Sequence, residues 1–438
     1  MRTLIRLLFE ALVRFYYPDL RCEGEERLRA LAGKPVVFAP NHPNALLDPL
    51  VLRIALRRDV AFLAKSTLFR SPVTRLVLEA FGAFPVFRQK DGEVEGPDRG
   101  DKNEETFARC RDLLAKGGSL ALFPEGTSHS DPTMKPLKTG AARIALSAEA
   151  AHGFGLGVTL VPVGMSYEAK TTFRSRALVV LGEPIACLPY AAAHEADERA
   201  AVRELTSRLR EGMDEVVLQA ETREVLDGVA RVAAYAHAPA QDDLGARHAK
   251  TLELLVAYQR YQAKDPARLE RLVARAQSYM KTLELLGVED PWALELGRLR
   301  KRVVSQLAVA LLLTAPLALV GACLGWAPYR AAGRVAARVA GEEDVLGTVK
   351  LLGGALFLLV AWSVEGALFA LRFGAASGVL FFLFAMTTGW IALRWDETFV
   401  RARAALRALL VRQGPTRDAL VAERRALASE IEAALLAN

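Results

Sequence analysis

The residues that could do chemistry gather in a few short segments, the first being Asn41-His42-Pro43-Asn44-Ala45-Leu46-Leu47-Asp48-Pro49. An imidazole can take a proton from a hydroxyl near neutral pH, and a carboxylate on its other ring nitrogen fixes the tautomer and stabilises the imidazolium. For His42 and Asp48 to meet, the chain must turn between them, because on one straight helix six positions set two side chains about 240° apart. Pro43 and Asn44 supply residues suited to that turn. Spacing alone specifies little: His237 precedes Asp242 and Asp243 by five and six positions in a linker that follows no strand. Asp48 before Pro49 also reads as a helix N-cap with proline at the first helical position, and one residue can do both.

Three further segments carry polar groups after apolar runs: Phe84-Pro85-Val86-Phe87-Arg88, Phe123-Pro124-Glu125-Gly126-Thr127-Ser128-His129-Ser130 with Lys138 following, and Val161-Pro162-Val163-Gly164. Arg88, as a fork, and Lys138, as a point charge near a helix start, suit a phosphate. Backbone donors near Gly126 could serve an oxyanion. No Gly-x-Ser-x-Gly elbow offers a protein nucleophile. Six histidines without His-Glu-x-x-His spacing give no ligand cluster, so no metal and no bound cofactor is expected.

These segments need a scaffold, and short apolar runs bounded by Gly, Pro or charge provide one. Pro35–Ala39, Val60–Ala64, Ala83–Phe87, Ser119–Phe123, Val158–Val163 and Ala177–Leu181 read as buried strands. Helical stretches over Pro49–Arg58, Glu104–Lys116 and Thr139–Ala151 separate several of them, which indicates an α/β layer fold. In open α/β sheets ligands bind outside the carboxyl ends of strands, where His42, Arg88 and Glu125 with Thr127 fall. Beyond Pro184 the chain becomes helical, with long amphipathic patterns over Glu195–Leu226 and Lys250–Leu286.

Of the 438 residues, 52% are hydrophobic and 24% charged, and the mean hydropathy is +0.17. That average conceals two populations. Three apolar runs, Val303–Ala327, Leu351–Leu371 and Phe373–Leu393, each reach the roughly 20 residues that cross a hydrocarbon core, although Pro316 interrupts the first and Glu365 sits in the second. Arginines flank them, which predicts cytoplasmic ends and a hairpin turning at Arg372–Gly374. Met1–Tyr17 alternates Arg2, Arg6 and Arg14 with apolar residues at helical spacing, as an amphipathic helix on an anionic surface would. The net charge of +7 therefore points to the membrane surface and not to nucleic acid. Four cysteines stand far apart, which leaves no disulfide framework and favours a reducing compartment. The expected organisation is an N-terminal membrane-associated helix (1–30), an α/β domain (31–190), a helical connector (191–300), a membrane region (301–395) and a charged C-terminal helix (396–438).

In order and content, the four polar segments between Lys34 and Pro184 resemble the four motifs of the glycerolipid acyltransferase family. The resemblance implies a mixed sheet flanked by helices, and acyl transfer from acyl-CoA or acyl carrier protein to glycerol-3-phosphate or lysophosphatidic acid at a phospholipid membrane. It implies that His42 is the catalytic base and Asp48 its orienting partner. Arg88 would hold the acceptor's phosphate, Glu125, Gly126 and Thr127 would form the acceptor site, Lys138 would add a phosphate contact, and Val161-Pro162 would lie near the acyl chain. Two departures matter: five residues instead of four separate His42 from Asp48, and Ser128-His129 replaces the usual arginine. Both resemble the fungal-type glycerol-3-phosphate and dihydroxyacetone-phosphate acyltransferases and their bacterial relatives, which favours glycerol-3-phosphate as acceptor and leaves the phosphate clamp one arginine short. The expected location is integral to a membrane, a bacterial inner membrane before endoplasmic reticulum, with the site on the cytoplasmic face. Two other readings stand beside it: a catalytically silent lipid-binding protein, and transfer between phospholipids without coenzyme A.

Overall fold

The computed structural model describes residues 1–87, 97–236, 243–287, 301–411 and 415–436. Eight strands form one sheet: β1 (Asp19–Glu23), β2 (Val36–Pro40), β3 (Ala61–Lys65), β4 (Ala83–Val86), β5 (Ser119–Ala121), β6 (Thr159–Tyr167), β7 (Arg176–Leu181) and β8 (Ile185–Ala186). Their order is β1-β7-β6-β2-β5-β3-β4, with β8 paired to β6. The run from β6 through β2, β5 and β3 to β4 is parallel, whereas β7 and β8 pair antiparallel with β6, which makes the sheet mixed.

All six expected strands are present, and β1 and β8 are additional. β1 (Asp-Leu-Arg-Cys-Glu) escapes a hydrophobic reading because it is an edge strand, half-buried throughout and paired only with β7, where Asp19 takes ion pairs at 2.8 Å from Arg21 and Arg176. β2 is apolar at every position because both faces are covered. Val37 and Ala39 enter one core cluster, while Val36 and Phe38 enter the other. Fully burying a side chain such as Phe38 contributes roughly 1.5–3 kcal/mol.

The helices are α1 (Arg2–Tyr16), α2 (Glu25–Ala30), α3 (Leu47–Leu56), α4 (Pro72–Ala80), α5 (Pro97–Ala115), α6 (Gly140–Ala150), α7 (Ala191–Ala196), α8 (Glu198–Asp214), α9 (Arg223–Ala236), α10 (Leu244–Lys264), α11 (Pro266–Leu286), α12 (Lys301–Val339), α13 (Glu343–Phe373), α14 (Ala375–Val411) and α15 (Pro415–Leu436). The long pattern over Lys250–Leu286 is two helices. Asp265 caps the second through the Arg268 N–H at 3.0 Å, and Pro266 occupies its first turn. Asp197 starts α8 in the same way, accepting from the Ala200 N–H at 3.1 Å.

The chain forms two compact units, residues 1–226 with 341–351 and residues 227–340 with 352–438. In the first, α5, α6 and α8 cover one sheet face and α1 and α3 the other. Thus α8, read from sequence as connector, contributes Leu205, Leu209 and Met213 to the sheet's core. In the second, Ala233, Leu254, Tyr279 and Leu427 join α9, α10, α11 and α15 in one core, and Arg275 binds Glu423 and Glu430 at 2.7 Å. Ala308–Val339, Glu343–Phe373 and Ala375–Val400 are long and apolar enough to cross a membrane, and the chain turns between the last two at Gly374. Pro316 lies inside α12 without ending it, and large apolar side chains such as Leu312, Leu368 and Leu380 face outward.

Candidate active site

Parallel pairing of β6, β2 and β5 brings their carboxyl ends to one sheet edge. The chain leaving β2 is pinned there by Asn41, whose amide donates to Met165 O at 3.2 Å and whose Oδ1 accepts the Met165 N–H at 2.6 Å. His42 follows, and its Nδ1 lies 2.8 Å from Asp48 Oδ2. A carboxylate can only accept, so Nδ1 carries the ring proton and Nε2 keeps its lone pair for a substrate. The turn that closes the pair passes through Ala45, held at φ 37°, a left-handed conformation uncommon outside glycine and typical of functional loops. Helix α3 starts at Leu47, ahead of the proline-marked boundary, so Asp48 lies in the first turn instead of at the N-cap and its carboxylate bonds backward. Asp48 is fully buried. Three donors compensate its desolvation: His42 Nδ1, the Asn44 N–H at 2.7 Å to Oδ2 and the Tyr167 hydroxyl at 2.6 Å to Oδ1.

Phe123, just past β5, stacks on the His42 ring with centroids 3.9 Å apart. Glu125 is 3% exposed and ties two loops together. Its Oε1 accepts the His42 backbone N–H at 3.2 Å, and its Oε2 accepts the Lys135 N–H at 2.8 Å and bonds His129 Nε2. His129, which stands after the missing arginine, is thus engaged by Glu125, with Asp131 3.7 Å from its Nδ1. Gly126 adopts φ 71°, a left-handed conformation that favours glycine, and the end of the Lys138 side chain packs against it. Its own N–H donates to Phe123 O at 3.0 Å, which removes that amide from the donors expected for an oxyanion. Thr127 and Lys138 are exposed beside this turn. His42, Glu125, Gly126, Thr127 and Lys138 therefore lie in loops at one sheet edge, with Asp48 beside them in the first turn of α3, while Arg88 lies outside the described residues.

Sequence reading missed Tyr167, Tyr17 and Lys170, and gave Asn44 only a place in the turn. Asn44 Nδ2 donates to Tyr17 Oη at 2.8 Å, and Tyr17 donates to Lys170 O at 2.7 Å. Lys170 Nζ donates to Pro43 O at 3.3 Å and bonds Ser130 Oγ, and burial pushes its ammonium below the usual lysine range. Burial also raises both tyrosine hydroxyls, so they remain neutral donors at working pH. Only the position of Tyr167 at the carboxyl end of the strand carrying Val161-Pro162 could have signalled it. Tyr167→Phe leaves Asp48 Oδ1 without its donor, a change expected to reduce stability by about 1–2 kcal/mol and turnover about tenfold with KM held. Thermal unfolding and steady-state kinetics on the same preparation check this, and unchanged turnover would show that Asp48 needs no hydroxyl donor.

The segments that build this geometry are similar to known proteins. Residues 19–166 match the family model described as Acyltransferase. An uncharacterised acyltransferase of Schizosaccharomyces pombe is 26% identical over 82% of this chain and 65% of its own length. Glycerol-3-phosphate O-acyltransferase 2 of Saccharomyces cerevisiae is 31% identical over 44% of this chain and 26% of its own. A chloroplastic 1-acyl-sn-glycerol-3-phosphate acyltransferase of Brassica napus is 30% identical over 36% and 39%. Over the α/β domain the chain is thus similar to glycerol-3-phosphate and 1-acylglycerol-3-phosphate acyltransferases. The chain spans less than two thirds of the length of each of these relatives.

Proposed function

We propose that the protein is a membrane-bound O-acyltransferase that moves a fatty acyl group from acyl-CoA or acyl carrier protein to glycerol-3-phosphate. The observation that carries this reading is the His42–Asp48 contact at 2.8 Å at the end of β2. His42 Nε2 takes the proton of the acceptor hydroxyl as its oxygen attacks the thioester carbonyl. Asp48 stabilises the imidazolium, which returns the proton to the departing thiolate as the tetrahedral adduct collapses to the ester. No protein nucleophile is required. Lys138 and Thr127, exposed beside the His42 loop, and Arg88 by motif resemblance, would receive the acceptor phosphate. The three apolar helices would hold the chain in a bilayer, with the active site and the arginines that follow the first and third apolar runs on the cytoplasmic side, where a soluble phosphate meets a membrane-bound acyl chain. The relatives in hand bear both names, so lysophosphatidic acid is the alternative acceptor. A formed pair, with Asp48 supported by three donors, favours an enzyme over a silent lipid-binding protein.

The test is purified full-length protein given one acyl-CoA with glycerol-3-phosphate, dihydroxyacetone phosphate or lysophosphatidic acid in parallel, scored by lipid product. Glycerol-3-phosphate is expected to yield its monoacyl ester. Product from lysophosphatidic acid alone would install the alternative, and no product from any acceptor, with acyl carrier protein tried as donor, would overturn the reading.

A further inference from the structure

Residues 341–351, which lead into and open α13, belong to the sheet's unit, although the rest of that helix does not. They end on Leu351, the first residue of the second apolar run. Asp344, Gly347, Thr348 and Leu351 are all buried, and this i, i+3, i+4, i+7 spacing defines one helix face. That face meets the catalytic loop. Leu351 joins the core cluster containing Leu47 and Val51, Lys350 Nζ donates to Thr171 O at 2.8 Å, and Glu343 Oε2 lies 3.8 Å from Lys170 Nζ. At its centre the approach is so close that a Cβ on Gly347 would lie 2.7 Å from Asn44 Oδ1, 3.1 Å from Lys170 O and 3.2 Å from Leu47 Cδ1.

We propose that the head of α13 is a positioning element for the His42–Asp48 pair and that Gly347 sets the place of Asn44. The inference rests on the reading of that pair as the acid–base machinery. Asn44 is fully buried and holds Asp48 Oδ2 through its backbone N–H at 2.7 Å. Its amide nitrogen is bonded to Tyr17, while its Oδ1 has no hydrogen-bond partner among the described residues and faces Gly347. The wall that keeps Asn44 in register is therefore the bare backbone of α13. Any side chain there must displace the loop or the helix, and proton transfer is sensitive to shifts of this size: misplacement by about 1 Å can lower rates on the order of 100-fold. The assignment gives this segment a part in catalysis separate from anchoring in lipid.

Gly347→Ala tests it, because alanine intrinsically favours a helix over glycine and any loss must arise from the contact. Gly354→Ala in the same helix, where a Cβ meets nothing within 4 Å, is the control. In the full-length protein, Gly347→Ala is expected to speed amide hydrogen exchange over residues 42–48 at least fivefold. It is also expected to lower kcat about tenfold with both KM values within twofold, because orientation is lost and not binding. Gly354→Ala should match wild type in both. The proposal is overturned if Gly347→Ala matches Gly354→Ala in exchange over 42–48, or in kcat when His42→Ala is inactive. Should Gly347→Ala not fold, Lys350→Met, which removes the tie to Thr171, is expected to raise exchange over 42–48 at least twofold, and no rise overturns the proposal. If His42→Ala keeps wild-type turnover, the reading of the reaction fails by itself, and the exchange measurement still decides the positioning.

Discussion

Replacing His42 by alanine is expected to lower acyl transfer by about three orders of magnitude, within the 10²–10⁴ that a positioned general base supplies. The residue is held at three points: Asp48 fixes ring Nδ1 at 2.8 Å, Phe123 stacks on the ring face, and Glu125 accepts the backbone N–H at 3.2 Å. Such a base acts while the hydroxyl attacks, so the loss should fall on kcat and leave KM near its original value. Asp48→Asn should produce a loss of similar size, because an amide in that fully buried place can offer the Nδ1 proton only a weaker acceptor and leaves the imidazolium without its counter-charge. A radiolabelled acyl-transfer assay measures both. His42→Ala activity within a few-fold of wild type would remove the assigned base, and with it the mechanism.

Glu125→Ala should be the most damaging substitution for stability. Its carboxylate serves the His42 N–H, the Lys135 N–H and His129 Nε2 from a nearly inaccessible position, so removing it strands three groups between two loops. Leaving buried donors unsatisfied costs roughly 1–3 kcal/mol each, which sets the expected loss at about 3 kcal/mol or more. For a unit of this size that is roughly 6–12 °C in the thermal midpoint. Turnover should fall as well, because the backbone of His42, the proposed base, loses its anchor. The family resemblance gives Glu125 a place in the acceptor site, and a residue acting only there would raise KM with no change in thermal midpoint. Thermal unfolding of the purified variant beside its KM for the acceptor separates the two roles.

Much of this site is legible in the chain itself, for a local reason. β2, β5, β6 and β7 are buried on both faces or nearly so, and a strand without a solvent face is written as an apolar run. Polar groups placed just beyond such runs, as His42 and Glu125 are, can be expected at one sheet edge before any coordinates exist. β1 was not legible, because an edge strand with one partner needs no continuous apolar pattern. The helix break at Asp265–Pro266 was written in its capping residues but masked by an apolar period that continues through it.

The sequence by itself determined the class of this protein: an α/β domain with a histidine–carboxylate pair, and three apolar segments fit for a bilayer. Apolar period, turn residues and short motif spacings are local properties, and they survive in one dimension. Only the tertiary structure decided which groups complete the pair. Tyr167 reaches Asp48 across 119 positions, and Glu125 reaches His42 across 83. Gly347 closes on Asn44 from a helix that reads in sequence as nothing more than the approach to a membrane span. Hydrogen bonds and close contacts of this kind depend on strand order and helix docking, which arise from burying whole faces against one another and leave no mark in the neighbourhood of either residue.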